Sequence, residues 1–544
     1  MTAPAPAFDS HSRSQSLQRL RQETFDVLIL GGGINGAGIA RDLALRARRK
    51  GHQLRIGLIE QRQFGSGTSG RNSQLLHGGL RYLENLEFGL VREALHERAT
   101  LRGIAPHLVD PLPFLIPFYG WFERRYYGTG LWLYDLLAGS RNIARRRYLS
   151  REDLAQAEPR LDMSGLHSAA IYHDCRVNAA RFLLENIFDA ARDGAAIANY
   201  TRADKHEQSN GGHAVEARDM LSGDFFRVRA MKLVDARGPW DDGGSLRLVR
   251  GSHIILPRVN ASPNAIAHFA ADGRIIFIIP WGPGERLSLV GTTDVDHAGG
   301  PDDVRITADE VRYLQGIVAG LFPAAAGQEP ISTYSSLRPL LKTSGSATAA
   351  SRGHRIWNDD EGVLRIAGGK YTTYRAMSDE ATSLVVQEIA PELTDRCATG
   401  ETPLGGNTGE ALEELTAQTP ALAARHGLEA TEVKQLVRAY GVQTPRVLEL
   451  MPPRPEDGLS RIECAIIAFA ARHEMAQRLP DVLYVSTYWG YQRHWEPEDL
   501  ARVARRLGCH LGWDEARVAQ EAELALRIGS AAAADTRQSQ PARS

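Results

Sequence analysis

Three glycines at fixed spacing, Gly31, Gly33 and Gly36, follow the apolar run 27–30 and precede a helix-compatible segment that begins near Asn35. Strand, tight turn and helix in that order suit a dinucleotide. Gly31 permits the turn, Gly33 lets backbone approach a pyrophosphate, and Gly36 lets the helix pack closely on the strand. The helix start, with Ile34 and Asn35 in its first turn, turns N–H groups and positive partial charge toward phosphate. A second apolar strand, 54–59, ends in Glu60, whose carboxylate is placed to accept hydrogen bonds from ribose hydroxyls. A purely structural turn can show the same glycines, but the acidic residue closing the next strand belongs to the binding reading. The four cysteines, Cys175, Cys397, Cys464 and Cys509, have neither CxxC spacing nor a histidine cluster, so no metal site and no disulfide framework is expected.

These residues need a large scaffold. At 544 residues the chain exceeds one ordinary core, and two to four domains are expected. A net charge of −1 gives no global attraction to nucleic acid or to an anionic membrane, so either contact needs a local basic patch. No apolar run of about 18 residues predicts a membrane span. Residues 1–23 lack the apolar core of a secretory signal and read as a mobile lead-in, and 531–544 read as a frayed tail. Reduced cysteines and no signal together predict a cytoplasmic protein.

Residues 39–50 have helical spacing and complete a βαβ unit with the two strands, which implies parallel pairing. A glycine-rich loop at 65–70 and a second turn at 75–83 follow, then an amphipathic helix at 88–102. Residues 177–192 read as a helix, 196–203 as one strand and 231–235 as a buried strand. The β-branched runs 252–257, 274–280 and 287–291, with turn signals between them, predict a largely antiparallel sheet distinct from the βαβ part. A glycine-rich link at 400–409 marks a boundary, beyond which 410–530 read as a helical domain. Residues 121–151 interleave Trp121, Phe122, Tyr126, Tyr127, Trp132 and Tyr134 with Arg124, Arg125, Arg141, Arg145, Arg146 and Arg147. Two readings stand side by side: a membrane-interface contact, with rings at headgroup level and guanidinium groups on lipid phosphate, or solvated charge beside ordinary core aromatics.

INGAGIARD, LLHGGLRYLE, the GSHII stretch at Gly251, IPW with GTTDVD across 279–296, SSLRPL at Ser335 and GGKYTTYR at Gly368 recur in order over about residues 25–380. Together they resemble the FAD-dependent, respiratory glycerol-3-phosphate dehydrogenase family. The resemblance implies an α/β fold, α+β overall. It comprises a Rossmann-like FAD-binding domain of the glutathione-reductase/amine-oxidase-like class, an antiparallel β-sheet substrate domain and a C-terminal helical domain. The implied limits are 24–100, 165–250 and 355–395 for the FAD domain, 101–164 and 251–354 for the substrate domain, and 400–530 for the helical domain. It further implies oxidation of sn-glycerol 3-phosphate to dihydroxyacetone phosphate, with electrons passed to quinone at the inner face of the cytoplasmic membrane. A homodimer is compatible with it, and nucleic acid is not an expected partner.

Such a reaction needs fixed positive charge for a dianionic phosphate, for which arginine's planar fork is the best match. Arg338, Arg81 and Lys370 map onto family motif positions for the phosphate pocket, with Tyr82 beside Arg81 and Arg352 as a further contact. The hydroxyl proton needs a base, and a base with a pKa near neutrality points to histidine. His253 is preferred, and His77 and Gly78 are assigned to the backbone loop approaching the flavin. Lys370, after Gly369, stands where a cation would stabilise reduced, anionic flavin. Thr68, Ser69, Ser73 and Thr372 are hydroxyl donors for the FAD diphosphate or ring edge. The family usually carries lysine where this chain has Gln74, and threonine where the 236–240 turn has Arg237. SGRNS at 69–73 is shared with flavoenzymes of hydroxy acids or amines. A related FAD-dependent oxidase or dehydrogenase of such substrates is therefore the alternative, and a silent flavoprotein that binds a partner through 124–147 is a third reading.

Overall fold

The computed structural model describes residues 8–209, 211–241, 246–342 and 353–537. The strand Thr24–Leu30 pairs in parallel with Ile56–Ile59 on one side and with Phe225–Asp235 on the other. Successive strand side chains point to opposite faces. Val27 and Ile29 therefore join one core and Leu28 and Leu30 another. Helices Ile34–Lys50, Ala179–Arg192 and Tyr374–Ile389 cover the first face. Cover on both faces explains why this strand reads as an unbroken apolar run.

Leu364–Gly368 and Ala196–Ala198 extend the parallel part, and Thr201–Ser209, Gly212–Asp219 and His354–Asn358 add antiparallel strands to make eight. The second sheet has ten strands. Its strand Leu246–Pro257 lies between Leu287–Gly291 and Ser332–Leu341. Every pair in it is antiparallel except Ala265–Phe269 against Val109–Phe118. The C-terminal part is helical, including Gly409–His426, Ala430–Tyr440, Arg461–His473 and Pro497–Leu511. The α/β sheet, the largely antiparallel sheet and the helical domain expected from the sequence are thus all present.

Several expected limits are corrected. Within 1–23, residues Ser10–Gln22 form a helix rather than a mobile lead-in. The Asp9 carboxylate accepts from the Ser12 N–H at 2.9 Å and the Ser12 hydroxyl accepts from the Asp9 N–H at 2.7 Å, a reciprocal cap. Leu17 and Leu20 bury one face, and Arg13 is paired with Asp219 at 2.8 Å with both side chains buried. At the other end the helix Glu515–Arg537 runs into the supposed tail. Ser168–Val177 and Leu75–Leu76, placed with the FAD domain by the limits 165–250 and 24–100, pair in the ten-stranded sheet. Leu246–Pro257 is one strand of that sheet across the expected boundary at 250. A buried apolar strand has the same pattern in either sheet, so pattern alone cannot assign it. The single strand expected at 196–203 is two, because the chain turns at Tyr200, whose φ is +49°.

Residues Trp121–Ala138 form a helix that buries Leu131, Tyr134 and Ala138. Trp121, Phe122 and Trp132 are 66%, 67% and 52% exposed, so these rings are not core residues.

Candidate active site

The glycine turn is built as a cradle. A Cβ on Gly36 would collide with the Gly31 carbonyl, and Gly31, at φ +103°, would press one to 2.7 Å from the Ala236 carbonyl oxygen. Helix and strand therefore meet backbone to backbone, and Gly33 caps the helix that starts at Ile34. The Ile34 N–H donates to the Ser69 hydroxyl at 3.0 Å, and the Glu60 carboxylate accepts from the N–H groups of Gly32 (2.7 Å) and Arg62 (2.9 Å). Burial pushes the Glu60 carboxyl above its ordinary range, against those two bonds.

One cavity of about 510 Å³ joins this turn to the second sheet. Gly31, Gly33, Ile34, Asn35, Glu60, Thr68, Ser69, Ser73, His77, Arg81, Tyr82, His253, Arg338, Gly369, Lys370 and Thr372 all line it. Gly36 does not, because it packs under the turn. Gly78 does not either: its N–H donates to the Tyr134 hydroxyl at 2.8 Å, while His77, Arg81 and Tyr82 of the same loop face the cavity. Arg352 lies outside the described residues. The loops are tied together across the cavity. Thr68 Oγ1 donates to the Leu337 carbonyl at 2.6 Å, and Thr372 Oγ1 lies 3.2 Å from the His77 nitrogen and 3.3 Å from its carbonyl oxygen.

His253 sits in the strand Leu246–Pro257, opposite Gly291 and Tyr334. A Cβ on Gly291 would collide with its ring, so the missing side chain makes room for the imidazole. Tyr334 stacks on the other side at 4.8 Å, and His253 Nε2 is 2.9 Å from Ser73 Oγ. Burial, helped by the Arg338 charge, pushes His253 down to about 3. This differs from the near-neutral value expected from the sequence, because a strand-centre histidine is stripped of water. The ring is neutral at ordinary pH, and with the proton on Nδ1 its Nε2 accepts the Ser73 hydroxyl.

Arg338 lies across Gly251, where a Cβ would meet its guanidinium. It donates to the Asp294 carboxylate at 2.8 Å, the Thr292 hydroxyl at 2.9 Å and the Thr293 carbonyl at 3.2 Å. Arg81 reaches the other oxygen of Asp294 at 3.7 Å. Lys370 Nζ stands 3.7 Å over the Tyr82 ring, a cation–π contact. Asp294 and Thr292 line the cavity and were not singled out from the sequence. GTTDVD was visible there, but a carboxylate in an anion pocket has no obvious reading until its arginines are located. Arg62, also in the lining, carries no such motif, whereas Trp240 closes the 236–240 turn in which Arg237 departs from the family pattern.

The two departures fall in different places. Gln74 is buried away from the cavity: its side chain accepts from the Ala179 N–H at 3.0 Å and donates to the Gly70 carbonyl at 3.2 Å. Arg237 lines the cavity, and Asp235 holds it at 2.6 Å.

A parallel sheet with a glycine cradle, sharing one cavity with a second sheet that contributes histidine and arginine, defines a dinucleotide-dependent oxidoreductase. Residues 26–375 match the family described as FAD dependent oxidoreductase, and residues 397–518 match the C-terminal domain of alpha-glycerophosphate oxidase. The chain is 33% identical over 546 residues to glycerol-3-phosphate dehydrogenase 2 of Mycobacterium tuberculosis, covering 95% of this chain and 90% of that protein. It is 30% identical over 601 residues to alpha-glycerophosphate oxidase of Streptococcus pyogenes serotype M3, covering 95% and 97%. Among solved structures it resembles the glycerol-3-phosphate dehydrogenase of Bacillus halodurans complexed with FAD, with TM-score 0.76, 25% identity and coverage of 96% of this chain and 98% of that one. The chain belongs to the FAD-dependent oxidoreductase family, in its glycerol-3-phosphate dehydrogenase group. The cradle that a Cβ would fill, the helix N-terminus beneath it and the Glu60 carboxylate fit FAD.

Proposed function

We propose that this enzyme oxidises sn-glycerol 3-phosphate to dihydroxyacetone phosphate, using FAD and passing the electrons to quinone. FAD, when bound, supplies the two-electron acceptor for the hydride that leaves the substrate carbinol carbon. His253 Nε2, although burial makes it a weaker base than a free imidazole, accepts the substrate hydroxyl in place of Ser73 and takes its proton as the hydride leaves. Arg338 and Arg81 grip the phosphate, Tyr82 packs beside it, and Lys370 serves both the phosphate and the reduced cofactor. Gly31, Gly33, Ile34 and Asn35 hold the pyrophosphate, Glu60 the ribose, and Thr68, Ser69, Ser73, His77, Gly369 and Thr372 the remaining edge of the cofactor.

The observation that carries this reading is the charge around Asp294. Arg338 and Arg81 converge on Asp294, and Lys370 lines the same cavity, so fixed positive charge is gathered where a phosphate would bind. A phosphate dianion draws more from such a group of cations than the single carboxylate of a hydroxy acid or amino acid does. Arg237, the residue favouring such a substrate, already has its charge offset by Asp235.

The reading includes a peripheral contact with the inner face of the cytoplasmic membrane through 121–151, which brings the enzyme to its quinone. Exposed Trp121, Phe122, Tyr126 and Trp132 beside exposed Arg124, Arg125, Arg145 and Arg147 support it. No helix among the described residues is long and apolar enough to cross a membrane. Steady-state turnover of glycerol 3-phosphate with a soluble quinone analogue, in air and under argon, tests the acceptor. The expected result is quinone reduction under argon at the rate seen in air; turnover that stops without oxygen contradicts it.

A further inference from the structure

We propose that Asp294 is a positioning residue that assembles Arg338 and Arg81 into one anion clamp before substrate arrives. The inference rests on the phosphate reading above. The two arginines come from different parts of the fold, Arg338 from the strand Ser332–Leu341 and Arg81 from the short helix Leu80–Leu83 after the glycine turn at 78–79. Asp294 meets each with a different carboxylate oxygen, at 2.8 Å and 3.7 Å, and is 8% exposed. A carboxylate offers acceptors on both sides, whereas an amide of the same size offers an acceptor on one side and donors on the other. Asparagine at 294 therefore serves one arginine and repels the other.

The segment carrying Asp294 is itself locked. Its carbonyl accepts from Arg274 at 3.2 Å, and Thr293 Oγ1 donates to Glu310 at 2.6 Å while accepting from the Ser252 N–H at 3.0 Å. Glu310, buried, also accepts from Ser252 Oγ at 2.8 Å and pairs with Arg250 at 2.9 Å. Burial alone would raise its pKa, and the bonds from Thr293, Thr307, Arg250 and Ser252 instead hold the carboxyl below its usual range. Asp294 is thus presented from a locked segment, with the Arg338 guanidinium hydrogen-bonded to it and the Arg81 guanidinium held within ion-pair distance. Such preorganisation lowers the ordering cost paid when an anion is captured.

The test compares FAD-loaded wild type, D294N and Thr292→Val, which removes a second hydrogen bond to Arg338. Two readouts are used: the kcat and KM for glycerol 3-phosphate, and inhibition by inorganic phosphate. For D294N the expected result is a KM and a phosphate inhibition constant that both rise about tenfold or more, with kcat within about threefold of wild type. Thr292→Val should move the same two constants in the same direction by a smaller factor. A KM that is unchanged or falls, or a loss confined to kcat, overturns the inference, as does a D294N protein that no longer retains flavin. If wild type responds to both anions and D294N does too, with unaltered constants, the positioning role alone fails. A wild type that responds to neither overturns the phosphate reading and this inference with it.

Discussion

Ser73 Oγ and His253 Nε2 lie 2.9 Å apart, joining the loop that follows the second parallel strand to the strand Leu246–Pro257 of the other sheet. The hydroxyl marks where a substrate hydroxyl would stand to give up its proton. His253→Asn keeps a polar side chain without a basic ring. It should lower the anaerobic rate of flavin reduction by 10²-fold or more, the usual contribution of a positioned base, while the flavin absorbance of the purified protein stays normal. Stopped-flow reduction within about tenfold of wild type removes His253 from the role.

The depressed basicity of His253 has a consequence for stability. In the unfolded chain a histidine titrates near about 6.5, whereas in the fold it is held at about 3. Below about pH 6.5 the unfolded state therefore binds a proton that the folded state refuses, and stability is lost as pH falls toward 3. At pH 5 this amounts to about 2 kcal/mol. Urea melts at pH 7.5 and pH 5 should show a smaller acid loss in His253→Asn than in wild type by about that amount. Equal losses contradict the burial argument.

The helix before the first strand is more than a lead-in. Arg13→Ala leaves Asp219 buried without its guanidinium partner, and breaking such a pair costs about 3 kcal/mol. The variant should melt several degrees lower by scanning calorimetry. An unchanged melting temperature contradicts the structural role assigned to this helix.

The aromatic face of the helix Trp121–Ala138 should bind anionic vesicles. In flotation with phosphatidylglycerol-containing liposomes, wild type should rise with the lipid, and Trp121→Ser with Phe122→Ser, or Glu at 145 and 147, should leave most of the protein at the bottom. Wild type that stays with the soluble fraction at low salt ends the membrane contact.

The parallel sheet was legible because Gly31, Gly33 and Gly36 can be read locally, each through steric demands met within a few residues. The limits of the sheets were not. Ser168–Val177 and Leu75–Leu76 pair with strands distant in sequence, and such pairing leaves no local mark. The N-terminal helix was hidden by reading composition instead of the Asp9–Ser12 cap and the Leu17–Leu20 spacing, both of which stand in the sequence. Within the site, Arg81, Arg338, Lys370 and His253 could be picked out by type and motif. The basicity of His253 could not, because it depends on burial and on a guanidinium from another strand. Asp294 escaped for the same reason, since its role exists only where two remote arginines converge.

The central claim is that this cavity delivers a phosphorylated alcohol to FAD. The most direct measurement is the visible spectrum of the purified, flavin-loaded protein as glycerol 3-phosphate is added without oxygen. Loss of the flavin band on addition, with no change when glycerol replaces the phosphate ester, is the predicted result. A spectrum that persists with glycerol 3-phosphate but bleaches with a hydroxy acid or an amine contradicts the claim.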